Sequence, residues 1–119
     1  INLHWIMRVI GKKVLEKLKK KNAGNRTLCE AVDKLVKDLE TFNPHRTELK
    51  AIRKDADSVH PDGFYFFDIY LHRAMILIEF EDDGEATIIW AGSHQEYTRT
   101  FRNNRTTIER WLRNRDFIE

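Results

Sequence analysis

Arg73, His94 and Tyr97 are the residues whose types and spacing in this chain could do chemistry together. Two apolar runs flank Asp83-Gly84, and that dipeptide is a strong hairpin signal because both central residues of the tightest turn need φ > 0. With Asp83 and Gly84 as a two-residue loop, Phe80 faces Thr87, Ile78 faces Ile89, Ile76 faces Ala91 and Leu77 faces Trp90. Carried to the open end, that register sets Arg73 across from His94, with Tyr97 close behind. A guanidinium is permanently charged and forks onto phosphate oxygens. An imidazole exchanges its proton near neutral pH. Together they make a corner able to handle phosphate. The alternative is that Arg73 and His94 are solvated strand ends.

The elements that must position these groups follow from periodicity. Trp5 to Ile10 reads as a short strand ending at Gly11, and Lys12 to Lys21 as a helix with Val14, Leu15 and Leu18 on one stripe. Asn22-Ala23-Gly24-Asn25 breaks it. Thr27 with Glu30 has capping-box spacing, and the stripe behind it runs through Leu28, Val32, Leu35, Leu39 and Phe42 to a stop at Asn43-Pro44. Leu49 and Ile52 could anchor one turn of helix, and His60-Pro61-Asp62-Gly63 is a turn. Phe64 to Ile69, Arg73 to Phe80 and Ala86 to Ala91 read as strands, and Ile108, Trp111 and Leu112 give a C-terminal helix its stripe. The expected fold is α+β: two N-terminal helices on one face of a small antiparallel sheet, plus a C-terminal helical extension over 101–119. Residues 1–119 make one domain. Helices on one face leave the other face open to a ligand.

Charge narrows the partners. The net charge is only +2, yet residues 8–21 hold seven basic groups against Glu16 alone, and residues 61–85 hold seven acidic groups against Arg73. Six further arginines lie between residues 99 and 115. Basic clusters at both ends point to a polyanion; Lys17, Lys20 and Lys21 are the candidate contacts. The alternative is a solvated helix face. No apolar run is long enough to span a bilayer, and Ile1 to Ile10 lacks the form of a signal peptide, so a cytoplasmic protein with no membrane partner is expected. Cys29 is the single cysteine and the five histidines show no ligand spacing, so neither a disulfide, a metal nor any other cofactor is expected.

Met7-Arg8-Val9-Ile10, Lys13-Val14-Leu15, Glu48-Leu49-Lys50-Ala51, Ala56-Asp57-Ser58-Val59, Phe67-Asp68-Ile69, Arg73 with its apolar strand, and His94-Gln95-Glu96-Tyr97 stand in that order. The series, across residues 7–98, resembles the HigB toxins of the RelE-like superfamily from bacterial toxin–antitoxin modules. The resemblance implies a metal-independent endoribonuclease that cuts translated mRNA at the ribosome, using the RNA's own 2′-hydroxyl. It also implies silencing by an antitoxin, expected to be of helix-turn-helix type. On that likeness Arg73, His94 and Tyr97 are catalytic, and Lys50 and Arg53 join the lysines in holding RNA. The chain departs from the family in Tyr70-Leu71-His72, where a Gly-Asn turn is usual, and in Ile89, where a second arginine is common. A second function class is therefore carried: a RelE-like module that arrests growth, or grips RNA, ribosome or antitoxin, without cutting.

Overall fold

A computed structural model describes residues 5–80 and 83–119. In chain order the elements are β1 (Met7–Ile10), α1 (Lys12–Lys21), α2 (Arg26–Thr41), α3 (Leu49–Ile52), β2 (Asp57–His60), β3 (Phe64–Asp68), β4 (His72–Phe80), β5 (Gly84–Ser93), α4 (His94–Phe101) and α5 (Arg105–Asn114). The strands form one sheet in the order β1-β5-β4-β3-β2. The α+β class holds, and the described chain opens on the strand expected within Trp5 to Ile10, ahead of the two helices; the sheet is mixed and not antiparallel, because β1 runs parallel to β5. An apolar pattern marks which residues are extended and is blind to the sense of pairing. Only strands joined by a short turn must be antiparallel; β1 reaches the rest of the sheet through two helices.

The hairpin register also differs from the sequence reading. Phe80 pairs with Gly84 and Leu77 with Thr87; past a bulge in β5, Met75 pairs with Trp90 and Arg73 with Gly92. Arg73 is therefore not opposite His94. Gly84 belongs to the strand. A Cβ on it would lie 2.6 Å from Trp5 and 2.8 Å from Met7, so glycine serves the close approach of β1. Glu81 and Asp82 lie outside the described residues. The extra residue of the bulge is Ile89, and it puts Ile89 and Trp90 toward the same apolar cluster.

Side chains on the two faces of the sheet seal two cores. On one face Leu15 and Leu18 of α1 and Leu28, Val32, Leu35 and Leu39 of α2 close over Ala74, Ile76, Ile78, Ala86 and Ile88. The cap of α2 is Asn25, whose Oδ1 accepts the Leu28 N–H at 3.0 Å, and not Thr27. On the other face Tyr97 and Phe101 of α4 and Ile108 and Leu112 of α5 close over Phe64, Phe66 and Met75. The expected open face is thus covered by two helices, which break at Arg102 and Asn103, both at positive φ. The region read as an extension is the sheet's second layer. Helix α3 falls where Leu49 and Ile52 place it, whereas β2 was not legible because Asp57-Ser58-Val59-His60 offers a single buried apolar residue.

Candidate functional site

The sheet end where β4 begins and β5 stops carries the candidate site. Ser93 is the N-cap of α4: its Oγ accepts the Glu96 N–H at 3.1 Å, and Glu96 Oε1 accepts the Ser93 N–H at 2.9 Å. This reciprocal pair is a capping box. It starts the helix at once, turning His94 out of the strand and Tyr97 back over the sheet. The hydrogen bond from the Ser93 backbone, aided by the Ser93 side chain and the fields of Lys21 and Arg99, holds the Glu96 carboxyl below the usual range against the opposing effect of burial. The spacing Ser-His-Gln-Glu would have revealed this cap from sequence.

Arg73, Tyr97 and His94 do come together, although not by facing each other across strands. The Arg73 guanidinium lies 4.7 Å from the Tyr97 ring centre and 5.2 Å from that of Phe66. The His94 ring lies 6.4 Å from the Tyr97 ring. The three differ sharply in access. The Arg73 side chain is 14% exposed; its Nε donates to Asp68 Oδ1 at 2.9 Å, and Nη2 is 3.7 Å from Asp57 Oδ2. Tyr97 is buried and its hydroxyl donates to Asn103 Oδ1 at 2.9 Å. His94 is exposed, its backbone N–H on the Leu71 carbonyl, and it lines a shallow depression with Gln95, Thr98 and Arg99. The imidazole is open to a ligand in that depression. A phosphate reaching Arg73 must first displace a carboxylate.

The other candidates lie elsewhere. Lys50 is exposed on α3 and donates to the Lys54 carbonyl at 3.1 Å. Arg53 is buried, bound to Asp55 at 2.7 Å, Asp38 at 3.3 Å and the Asp68 carbonyl at 2.8 Å. Its Nε is buried and has no hydrogen-bond partner among the described residues. Asp68 thereby ties the two arginines together, through its carbonyl to Arg53 and its carboxylate to Arg73. Lys17, Lys20 and Lys21 sit on α1, against the other face of the sheet. Lys17 and Lys21 line a cleft of about 430 Å³ with His72, Ser93 and Glu96, while Lys20 does not reach it.

His72 was missed by sequence reasoning. It is the first residue of β4, and its Nδ1 lies 3.0 Å from the Tyr70 carbonyl. A carbonyl only accepts, so Nδ1 carries a proton and Nε2 is left for other partners. Tyr70 and Leu71, the turn before it, both take left-handed backbone, at φ 41° and 61°. Among the described residues no group of three or more His, Cys, Asp or Glu is arranged to hold a metal, and no helix is long and apolar enough to cross a membrane. Comparison with protein-family models, with curated proteins and with solved structures finds no match.

Proposed function

We propose that this chain is a RelE-like toxin, silenced by a partner antitoxin, that acts on translated mRNA as a metal-independent endoribonuclease. The observation that carries the reading is the convergence of Arg73, Tyr97 and His94 at one sheet end. The RNA 2′-oxygen attacks the adjacent phosphorus, the bond from phosphorus to the 5′-oxygen breaks, and the products are a 2′,3′-cyclic phosphate and a 5′-hydroxyl. His94 takes the 2′-proton or delivers one to the leaving oxygen. Arg73 exchanges Asp68 for the phosphate and stabilises its extra negative charge. Tyr97, its hydroxyl engaged by Asn103, positions Arg73 through the face of its ring. Induced without its antitoxin, the protein is expected to stop growth and fragment mRNA. Cleavage should persist in EDTA with ribosomes kept intact, cease on 2′-deoxy substitution at the cut, and fall about 10²–10⁴-fold in His94→Gln.

A second reading rests on the state of Arg73. Its hydrogen bond to Asp68, the nearby Asp57 and the cover of α4 favour a module that arrests growth by gripping RNA or the ribosome without cutting. Ile89, standing where the family commonly has a second arginine, favours it too. Growth arrest with intact mRNA decides for this reading. Harmless expression with no RNA or ribosome binding defeats both.

A further inference from the structure

The cleft on the α1 side of the same sheet end has the makings of a second anion site. Lys17 and Lys21 are four residues apart on one helix and so face the same way. Two other cations of α1 are paired, Lys12 with Glu40 and Lys19 with Asp33, whereas Lys17 and Lys21 make no ion pair among the described residues. Like charges at this spacing destabilise a helix slightly, which a bound anion would reverse. His72 adds a ring whose Nε2 is not the nitrogen held by Tyr70 and donates to an anion once the ring carries its second proton. One carboxylate, Glu96, stands against them, and it is turned into its own helix cap. The cleft's volume suits a nucleotide-sized group.

Between this cleft and His94 lies the Tyr70–Leu71 turn. The Ile69 N–H closes it on the His72 carbonyl at 2.9 Å, and the Leu71 carbonyl receives the His94 N–H. Both central residues are at positive φ without being glycine or asparagine, and both are exposed, at 45% and 65%. Left-handed backbone is unfavourable for an ordinary side chain. Asn-Gly would form this turn without that strain and without exposing an aromatic ring. A strained turn that presents a bare ring between two cationic sites is suited to stacking a base.

We propose that one RNA strand runs around the start of α4, with one phosphate at Arg73 and His94, the next bound by Lys17, Lys21 and His72, and a base stacked on Tyr70. The proposal rests on the RNA reading above and deepens it. The test measures binding of a single-stranded oligoribonucleotide with 2′-O-methyl sugars, which cannot be cleaved, both free and on ribosomes, against salt. Lys17→Ala/Lys21→Ala should weaken binding about 10-fold or more and flatten the salt slope by roughly 0.7, the value for one phosphate contact on a single strand. Tyr70→Asn/Leu71→Gly should raise the melting temperature yet weaken binding about 5- to 100-fold, the range expected for one stacked base. Strain relief alone cannot produce those opposite signs. Unchanged affinity and slope in the lysine variant, with binding still lost in Arg73→Ala, overturns the cleft and spares the RNA reading. If the lysine variant keeps its RNA affinity but loses binding to an acidic peptide, the cleft belongs to a protein partner and the proposal fails. A wild-type protein that binds neither probe overturns both.

Discussion

The two faces of the sheet are built from different chemistry. Under α1 and α2 the core is largely aliphatic; under α4 and α5 it is largely aromatic, with Phe66 edge-on to Tyr97 and Phe101 at ring separations of 4.9 and 5.2 Å. Each face holds one arginine near its edge, Arg53 on the first and Arg73 on the second. Arg53 is locked by two carboxylates and a carbonyl. Arg73 leans on ring faces, donates one hydrogen bond to a half-exposed Asp68, and has Asp57 near the limit of ion-pair range. The aliphatic face thus fixes its cation with directional bonds, while the aromatic face holds its cation by quadrupole attraction and one exchangeable partner. Only the second kind of holding is compatible with handing the charge to a ligand.

The largest effect that can break this comparison is on the fold itself. If α4 and α5 were an appendage, truncating Phe101 would cost little. Since Phe101 is fully buried among aromatic rings, Phe101→Ala should cost about 3–5 kcal/mol in denaturant unfolding, as much as a large-to-small change in the aliphatic core. A loss below about 1 kcal/mol would make the aromatic layer dispensable.

The arginines come next. Arg53→Ala leaves Asp38 to Lys34 and Asp55 to the Asp68 N–H, and should destabilise by about 1–3 kcal/mol for the lost charged hydrogen bonds. Arg73→Ala should cost less stability but remove a charged phosphate contact, about 1.5–3 kcal/mol of RNA binding or turnover. Asp68→Asn sharpens the contrast. It leaves the backbone bond to Arg53 intact and removes the negative charge that competes with phosphate for the Arg73 guanidinium, so RNA affinity should rise several-fold. The stability loss should stay under about 1 kcal/mol, because Asp68 is half exposed. Unchanged affinity in a folded Asp68→Asn protein would make Arg73 purely structural and support the non-cleaving reading.

What the sequence could and could not disclose follows the same division. The aliphatic stripe of α2 was legible because helical periodicity is local, and Arg73, Tyr97 and His94 were legible by type. Their mode of approach was not, because Gly84 has the look of a turn residue while serving contact with Trp5 and Met7, partners distant in sequence. The second layer was missed for a related reason. Tyr97 and Phe101 were scattered among polar residues, and only the sheet's own aromatics, Phe64, Phe66 and Trp90, reveal what they cover. His72 was passed over because nothing local links it to Lys17 and Lys21, which reach it through the packing of α1.

The smallest expected effect separates the two faces by pH. Glu96, in the cap of α4, has a lowered pKa in the fold, so its contribution is present above the unfolded value of about 4.3 and is lost as pH falls through the lower folded value. Lys19, hydrogen-bonded to Asp33 at 2.7 Å between α1 and α2, has a raised pKa, mainly through that bond. Its contribution is present below about 10.4 and is lost as pH rises through the higher folded value. Acid should therefore loosen the aromatic side first and alkali the aliphatic side. Melting curves of Glu96→Gln should lose the acid limb, converging on the wild type only below the lowered folded value, with a small cost at neutral pH because Gln can still close the capping box. Asp33→Asn should flatten the alkaline limb by well under 1 kcal/mol, because Asp33 is largely exposed. If both variants change the same limb, the two faces are not independently held, and the contrast between a locked and an exchangeable arginine loses its physical basis.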